Sequence, residues 1–139
     1  MSVGRICCRE VDIAAAEERV ADAARRLGAQ RVGTLVILNA AKEPVGVVTD
    51  RDLVVRVLAA DKDPHRTQVG DIMTQHPKVI SEDSSLEEAL GLMRAGGIRR
   101  LPVIDHERRL VGILSLDDVL ALLAEEFGHI GGILERQQP

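Results

Sequence analysis

Gly46-Val47-Val48-Thr49-Asp50-Arg51-Asp52 and Gly112-Ile113-Leu114-Ser115-Leu116-Asp117-Asp118, 66 residues apart, follow one pattern. Each has a glycine, two aliphatic residues, a hydroxyl residue and an acid three positions after the hydroxyl. The aliphatic run reads as the end of a strand, and the Ser/Thr-x-x-acid spacing as the capped start of a helix. A strand-to-helix junction written twice makes internal repetition the question that decides the fold. The same shift aligns Arg5 to Ala60 with Asp71 to Glu126 without a gap, with identities at Ile6/Ile72, Ala23/Ala89, Ala29/Ala95, Leu35/Leu101, Val45/Val111, Gly46/Gly112 and Asp52/Asp118. Val20, Ala23, Ala24 and Leu27 fall on Leu86, Ala89, Leu90 and Met93, both sets at the i, i+3, i+4, i+7 spacing of one buried helix face. Leu35-Val36-Ile37-Leu38 falls on Leu101-Pro102-Val103-Ile104, and the loop Asn39 to Glu43 on Asp105 to Arg109, so each copy holds a hairpin with a five-residue loop.

A second helix follows each hairpin, with Leu53, Val54, Val57 and Leu58 in one copy and Val119, Leu120, Leu122 and Leu123 in the other. With short extended segments near Ile13 and Val79, each copy reads strand, helix, strand, strand, helix. A unit of about 55 residues is marginal alone. The expected fold is therefore α/β (α+β), two βαββα repeats packed as a pseudo-two-fold pair. The expected divisions are 4–60, a polar, proline-containing linker 61–70, 71–126, and a tail 127–139. The tail's Phe127, Ile130, Ile133 and Leu134 lie near helical spacing but are interrupted by Gly128, Gly131 and Gly132, which leaves a frayed extension and a partner-binding helix both open.

Composition narrows the function. The chain has 139 residues, 45% apolar and 29% charged, with a net charge of -4. Adjacent cysteines at Cys7 and Cys8 do not make a secreted disulfide framework, and no apolar run approaches the roughly 18 residues of a membrane span. A reduced, cytoplasmic protein away from membranes is expected. Phe127 is the one aromatic residue, and an acidic chain without aromatic platforms is a poor candidate for nucleic acid. His65, His76, His106 and His129 show no paired ligand spacing, so no metal is expected. Cys7 and Cys8 align with Met73 and Thr74, which favours a packing role over redox chemistry.

The junctions have two readings. Thr49 with Asp52 and Ser115 with Asp118 are explained by helix capping, with no ligand needed. The same groups suit a nucleotide, because free N–H groups at a helix start attract phosphate and a hydroxyl with a carboxylate takes sugar hydroxyls.

From Gly4 to Glu126 the chain resembles the cystathionine-beta-synthase (CBS) domain family, whose members occur as tandem pairs. The resemblance is carried in the second copy by Asp71-Ile72-Met73-Thr74, Pro77-Lys78-Val79-Ile80, Gly97 to Asp105 and Gly112 to Asp118. The first copy departs at Val36, where the family often has Pro, at Cys7-Cys8 in place of Met-Thr, and at Ala14-Ala15-Ala16, which lacks a polar helix start. The resemblance implies a regulatory module that binds an adenosine-containing ligand (AMP, ADP, ATP, NAD or S-adenosylmethionine) in clefts between the repeats, with no cofactor required. It implies ribose contacts from Asp52 with Thr49 and from Asp118 with Ser115. It places the base against Ile13 and Ala14 with Val32, Gly33 and Thr34 in one repeat, and against Val79 and Ile80 with Ile98, Arg99 and Arg100 in the other. Cations for a phosphate are Arg51, Arg99, Arg100 and Arg31. Asp117 stands where the first junction has Arg51, which favours the first cleft for a charged nucleotide. The expected protein is a homodimer that signals to an unidentified protein partner. The rival is an interaction scaffold with vestigial clefts. No nucleophile elbow, zinc-helix motif or phosphate loop supports an enzyme.

Overall fold

The computed structural model describes residues 1–138. A short helix α1 (Val3–Ile6) leads into β1 (Ile13–Ala14), α2 (Val20–Gln30), the hairpin β2 (Thr34–Leu38) and β3 (Pro44–Thr49), and α3 (Asp50–Leu53), which continues as one π-helical stretch, Val54–Leu58. The order then recurs: α4 (Val69–Ile72), β4 (Thr74–Gln75), β5 (Ile80–Ser81), α5 (Leu86–Gly96), β6 (Arg100–Ile104), β7 (Leu110–Ser115) and α6 (Leu116–Arg136). The expected strand–helix–strand–strand–helix order is present twice.

The strands form two sheets, ordered β1-β2-β3-β4 and β5-β6-β7. In each, the first strand runs parallel to the second and the hairpin is antiparallel, with Ala14 opposite Ile37 and Ile80 opposite Val103, positions related by the 66-residue shift. Fully buried Leu35, Ile37 and Val48 centre one core, and Leu101, Val103 and Leu114 the other. Helices α2 and α5 close them with Val20, Ala23 and Leu27 and with Ala89 and Met93. Ala24 departs from the expected face and is exposed, because the stripe actually used is i, i+3, i+7 and i+4 lies at its rim.

Each compact half is the body of one repeat closed by the lead-in of the other. Each lead-in crosses to the other half: Val3, Ile6 and Cys7 pack in the second core, while Val69, Ile72 and Met73 pack in the first. The exchange is two-fold in detail. Val3 N donates to Ser84 O and Gly4 N to Glu82 O, matched by Val69 N to Glu18 O and Gly70 N to Ala16 O, all at 2.8 Å. Strand β4 pairs with β3 through Val47 and Thr74, and Cys8 pairs with Ile113 at the equivalent edge of the second sheet.

The segment expected as a linker is docked. Val20 N donates to Thr67 O and Ala21 N to Pro64 O, covering the start of α2, whose N-cap Arg19 makes no side-chain cap. Met1 does the same for α5, accepting from Leu86 N, although there Ser85 also caps through Glu88 N. At helix ends, Arg31 (φ 55°) and Gly97 (φ 61°) occupy the same left-handed position, where glycine carries no steric cost. Helix α6 runs through Gly128, Gly131 and Gly132 without a break, so the tail is helical to Arg136.

Candidate functional site

The first junction is a complete capping box. Asp52 N donates to Thr49 Oγ1 (3.2 Å) and Thr49 N donates to Asp52 Oδ2 (2.9 Å). The other carboxylate oxygen faces Arg56 Nε at 3.7 Å, and Arg56 in turn donates to Ile72 O at 2.8 Å, tying the junction to the crossed-over lead-in. The second junction is built differently. Asp118 N donates to Ser115 Oγ (3.1 Å), but no reciprocal bond returns to the Asp118 carboxylate, which is exposed. The spacing alone implied two equivalent boxes; only the first has both bonds, because Asp118 is turned into solvent while Asp52 is held by Thr49 and Arg56.

Free N–H groups for a phosphate are also not what the first junction offers. Asp50 N donates to Gly33 O, Arg51 N to Asp50 Oδ1 and Asp52 N to Thr49 Oγ1, so the first turn is satisfied within the protein.

One cavity of about 440 Å³ lies where the halves meet. Thr34, Val47, Thr49 and Asp52 line it from the first half. Thr74, His76, Pro77 and Lys78 come from the crossed-over lead-in, and Ile98, Arg99, Arg100 and Pro102 from the second half. Thr34 Oγ1 is buried and has no hydrogen-bond partner among the described residues. A buried hydroxyl without a partner costs free energy, and Thr34 is the lining residue that carries one.

Of the residues expected in the site, Thr34, Thr49, Asp52, Ile98, Arg99 and Arg100 are brought together here. Arg51 is not: two positions into the helix, it is exposed and points off the Asp52 face. Ala14 is a core residue, Ile13 is exposed, and Val32 and Gly33 are half-buried outside the cavity lining. Val79 and Ile80 line a separate depression with Ser84, Glu88 and Leu92 over α5. Ser115 and Asp118 line neither, and Arg31 is exposed. Sequence reasoning missed Val47, Thr74, His76, Pro77, Lys78 and Pro102. For Thr74, His76, Pro77 and Lys78 the one signal is that Val69 and Ile72 must be buried against some sheet, and the order of residues does not say which.

Among the described residues no group of three or more His, Cys, Asp or Glu could hold a metal ion, and no helix is long and apolar enough to cross a membrane. Cys7 and Cys8 are unpaired. Burial pushes the Cys7 thiol above its ordinary value, with Arg9 pulling the other way, which suits a packing group.

The CBS domain model matches residues 3–59 and 69–125. A protein of Methanopyrus kandleri is 37% identical over 120 residues, which are 86% of this chain and 61% of that protein, so the chain spans less than two-thirds of this relative. Three solved structures superpose closely. The CBS domain pair of MJ0100, solved with 5′-methylthioadenosine and S-adenosylmethionine, has a TM-score of 0.80 at 25% identity, covering 91% of this chain and 98% of that one. CBSX2, solved with AMP, has a TM-score of 0.77 at 29% identity, covering 89% and 96%. Hypoxic Response Protein I, solved with two coordinated zinc ions, has a TM-score of 0.79 at 29% identity, covering 87% and 98%.

Proposed function

The chain belongs to the CBS domain family, and from that premise we propose that it is a regulatory module binding an adenosine-containing ligand in the cavity between its halves. The observation that carries this reading is the unpartnered Thr34 hydroxyl at a cavity that also holds Thr49 and Asp52. A ribose presents hydroxyl donors to the Asp52 carboxylate and to Thr49 and Thr34, and Val47, Ile98 and Pro102 give a base apolar surface without an aromatic ring. Adenosine compounds in two structural neighbours support the ligand class.

Because the cavity takes its walls from both halves and from the exchanged lead-in, a ligand there favours one relative arrangement of the halves over others. A partner that distinguishes the arrangements then reads the ligand. The role is binding rather than catalysis, in a homodimer that engages an unidentified protein. A cytoplasmic location, resting on the two unpaired cysteines, is part of the same proposal. The scaffold reading draws on a different observation: the Thr49–Asp52 box is complete without a ligand.

Calorimetric melting with AMP, ADP, ATP, NAD and S-adenosylmethionine separates the two. A ligand that binds only the native state adds about 2.7 kcal/mol at a hundredfold excess over its dissociation constant. A rise in melting temperature with at least one compound is expected, and a flat panel favours the scaffold. The chain has no Trp or Tyr, so calorimetry or an extrinsic dye is the suitable probe.

A further inference from the structure

The pseudo-two-fold relation pairs every cavity position with a counterpart 66 residues away, and the net charge of the two sets has opposite sign. The cavity carries Lys78, Arg99 and Arg100 against one lining carboxylate, Asp52, with His76 beside them. Asp12 stands at the counterpart of Lys78, Glu10 at that of His76, Gly33 at that of Arg99 and Asp118 at that of Asp52. Of the lining cations, Arg100 alone is shared with the counterpart position, where it takes the place of Thr34. The ionisable side chains of the cavity are therefore mostly cationic, and those at the counterpart positions mostly carboxylates. The matched lead-in hydrogen bonds and the Val47–Thr74 and Cys8–Ile113 pairings make this correspondence structural as well as sequential.

We propose that the chain binds one phosphate-bearing adenosine ligand, in the Thr34–Asp52–Lys78 cavity alone, and that Glu10 and Asp12 exclude such a ligand from the symmetry-related position. The inference rests on the adenosine-ligand reading and adds ligand charge and stoichiometry to it. The counter-charges do not cancel it. Asp52 already accepts from Thr49 N and faces Arg56, and Asp117, which bonds Arg99 at 3.0 Å, is an exposed partner in an exposed pair, an arrangement of little energetic weight. In the mate, the lead-in adds the cations Arg5 and Arg9, and Arg9 donates to Gly4 O. Since the first-turn N–H groups of the Thr49 junction are already satisfied, Lys78, Arg99 and Arg100 are left as the groups that answer a phosphate. A cationic sulfonium in place of the phosphate meets repulsion from the same groups.

Isothermal titration with AMP, adenosine and S-adenosylmethionine tests this on the whole chain. The expected result is one AMP per chain, bound about tenfold or more tighter than adenosine at low salt, with the advantage shrinking as salt rises. Lys78→Glu should remove the preference for AMP over adenosine, read as the ratio of the two affinities in that variant. The double change Glu10→His, Asp12→Lys should create a second AMP equivalent. Two AMP per wild-type chain, or adenosine or S-adenosylmethionine bound as tightly as AMP, overturns the inference and leaves the adenosine-ligand reading standing. No binding of any of the three, in protein that melts cooperatively, removes that reading and the inference with it.

Discussion

Cys7 lies on the face of Gly112: a Cβ added to that glycine would stand 2.7 Å from Cys7 Sγ and 2.7 Å from the Cys8 carbonyl oxygen. Gly46 bears the same relation to Met73, but there the nearest atoms all belong to the Met73 side chain. Glycine in these strand interiors lets the exchanged lead-in lie against the sheet.

The two glycines should respond differently to a methyl group. Gly112→Ala meets backbone and is expected to cost about 1 to 3 kcal/mol, the range of overpacking. Gly46→Ala meets a flexible thioether, so on a Met73→Ala background it should add no further loss. Chemical denaturation of the wild type and the four variants checks this; a Gly112→Ala protein as stable as wild type would show that the lead-in is not seated on that sheet.

Thr34→Val is expected to leave stability unchanged or raise it by up to about 1 kcal/mol, because it removes a buried hydroxyl with no protein partner. The same change should weaken the adenosine ligand. Gain in melting temperature with loss of ligand response is a signature that a purely structural threonine does not give.

Asp52→Ala removes one side of a complete capping box and a cavity carboxylate. The box is expected to cost about 1 kcal/mol of stability, and the lost charged hydrogen bonds about 1.5 to 3 kcal/mol of binding. Thr49→Val should follow it. Asp118→Ala, whose carboxylate accepts no cap bond, should stay within about 0.5 kcal/mol in stability and leave AMP binding unaltered. Equal effects of the two aspartates, read by melting and titration, would contradict the asymmetry of the junctions.

The repeat, the hairpins and the strand-to-helix junctions were legible in the sequence because they depend on local periodicity and turn chemistry. Val20, Leu27, Leu35 and Val48 are core residues in the pattern and in the structure. The lead-in exchange was not legible. Val3 and Val69 have the same apolar character, and nothing in either says which of two similar sheets it will cover. That ambiguity hid Lys78 and His76 from the expected site, since both sit on the crossing segment. Asp118 was misjudged as a box partner for a related reason: Ser-x-x-Asp spacing permits the reciprocal bond but does not supply the neighbour, Arg56 in the first half, that holds the carboxylate in place.

The hairpin loops offer a pH test. Asn39 Oδ1 accepts from Ala41 N and Glu43 N, and Asp105 Oδ1 accepts from Glu107 N and Arg109 N, the same turn with and without a charge. The Arg109 N–H above all, with the Glu107 N–H and the Arg109 guanidinium, holds the Asp105 carboxyl below its ordinary 3.8. A depressed carboxylate contributes stability that is present above the ordinary value and is lost as pH falls through the folded one. On acidification, protection from amide exchange, relative to the intrinsic rate at each pH, should therefore fall at Glu107 and Arg109 before it falls at Ala41 and Glu43, and Asp105→Asn should abolish the difference. Parallel behaviour of the two loops in the wild type would refute the assignment.

The last expectation concerns assembly. Val54 and Leu58 are 55% and 68% exposed although they flank buried Val57, and on α6 Leu120, Phe127 and Leu134 are 53%, 70% and 59% exposed. Leu116, Leu120, Leu123, Phe127, Ile130 and Leu134 recur at alternating steps of four and three, the spacing that places one apolar seam against a second helix. Gly128, Gly131 and Gly132 each cost about 1 kcal/mol relative to alanine in a helix interior, and the space around them is open, so the end of α6 has neither propensity nor packing within the chain to hold it. An isologous two-fold pair supplies that packing with an identical seam. Light scattering should give a mass near twice 15.1 kDa. Val54→Glu and Leu120→Glu should lower the mass by loading the body of the interface, whereas Phe127→Glu should chiefly reduce helicity at the C-terminus. A wild-type monomer at high micromolar concentration would contradict the dimer. It would also remove the shortest route from a ligand in the cavity to a partner, since the Arg56 that faces Asp52 lies between the exposed Val55 and the buried Val57.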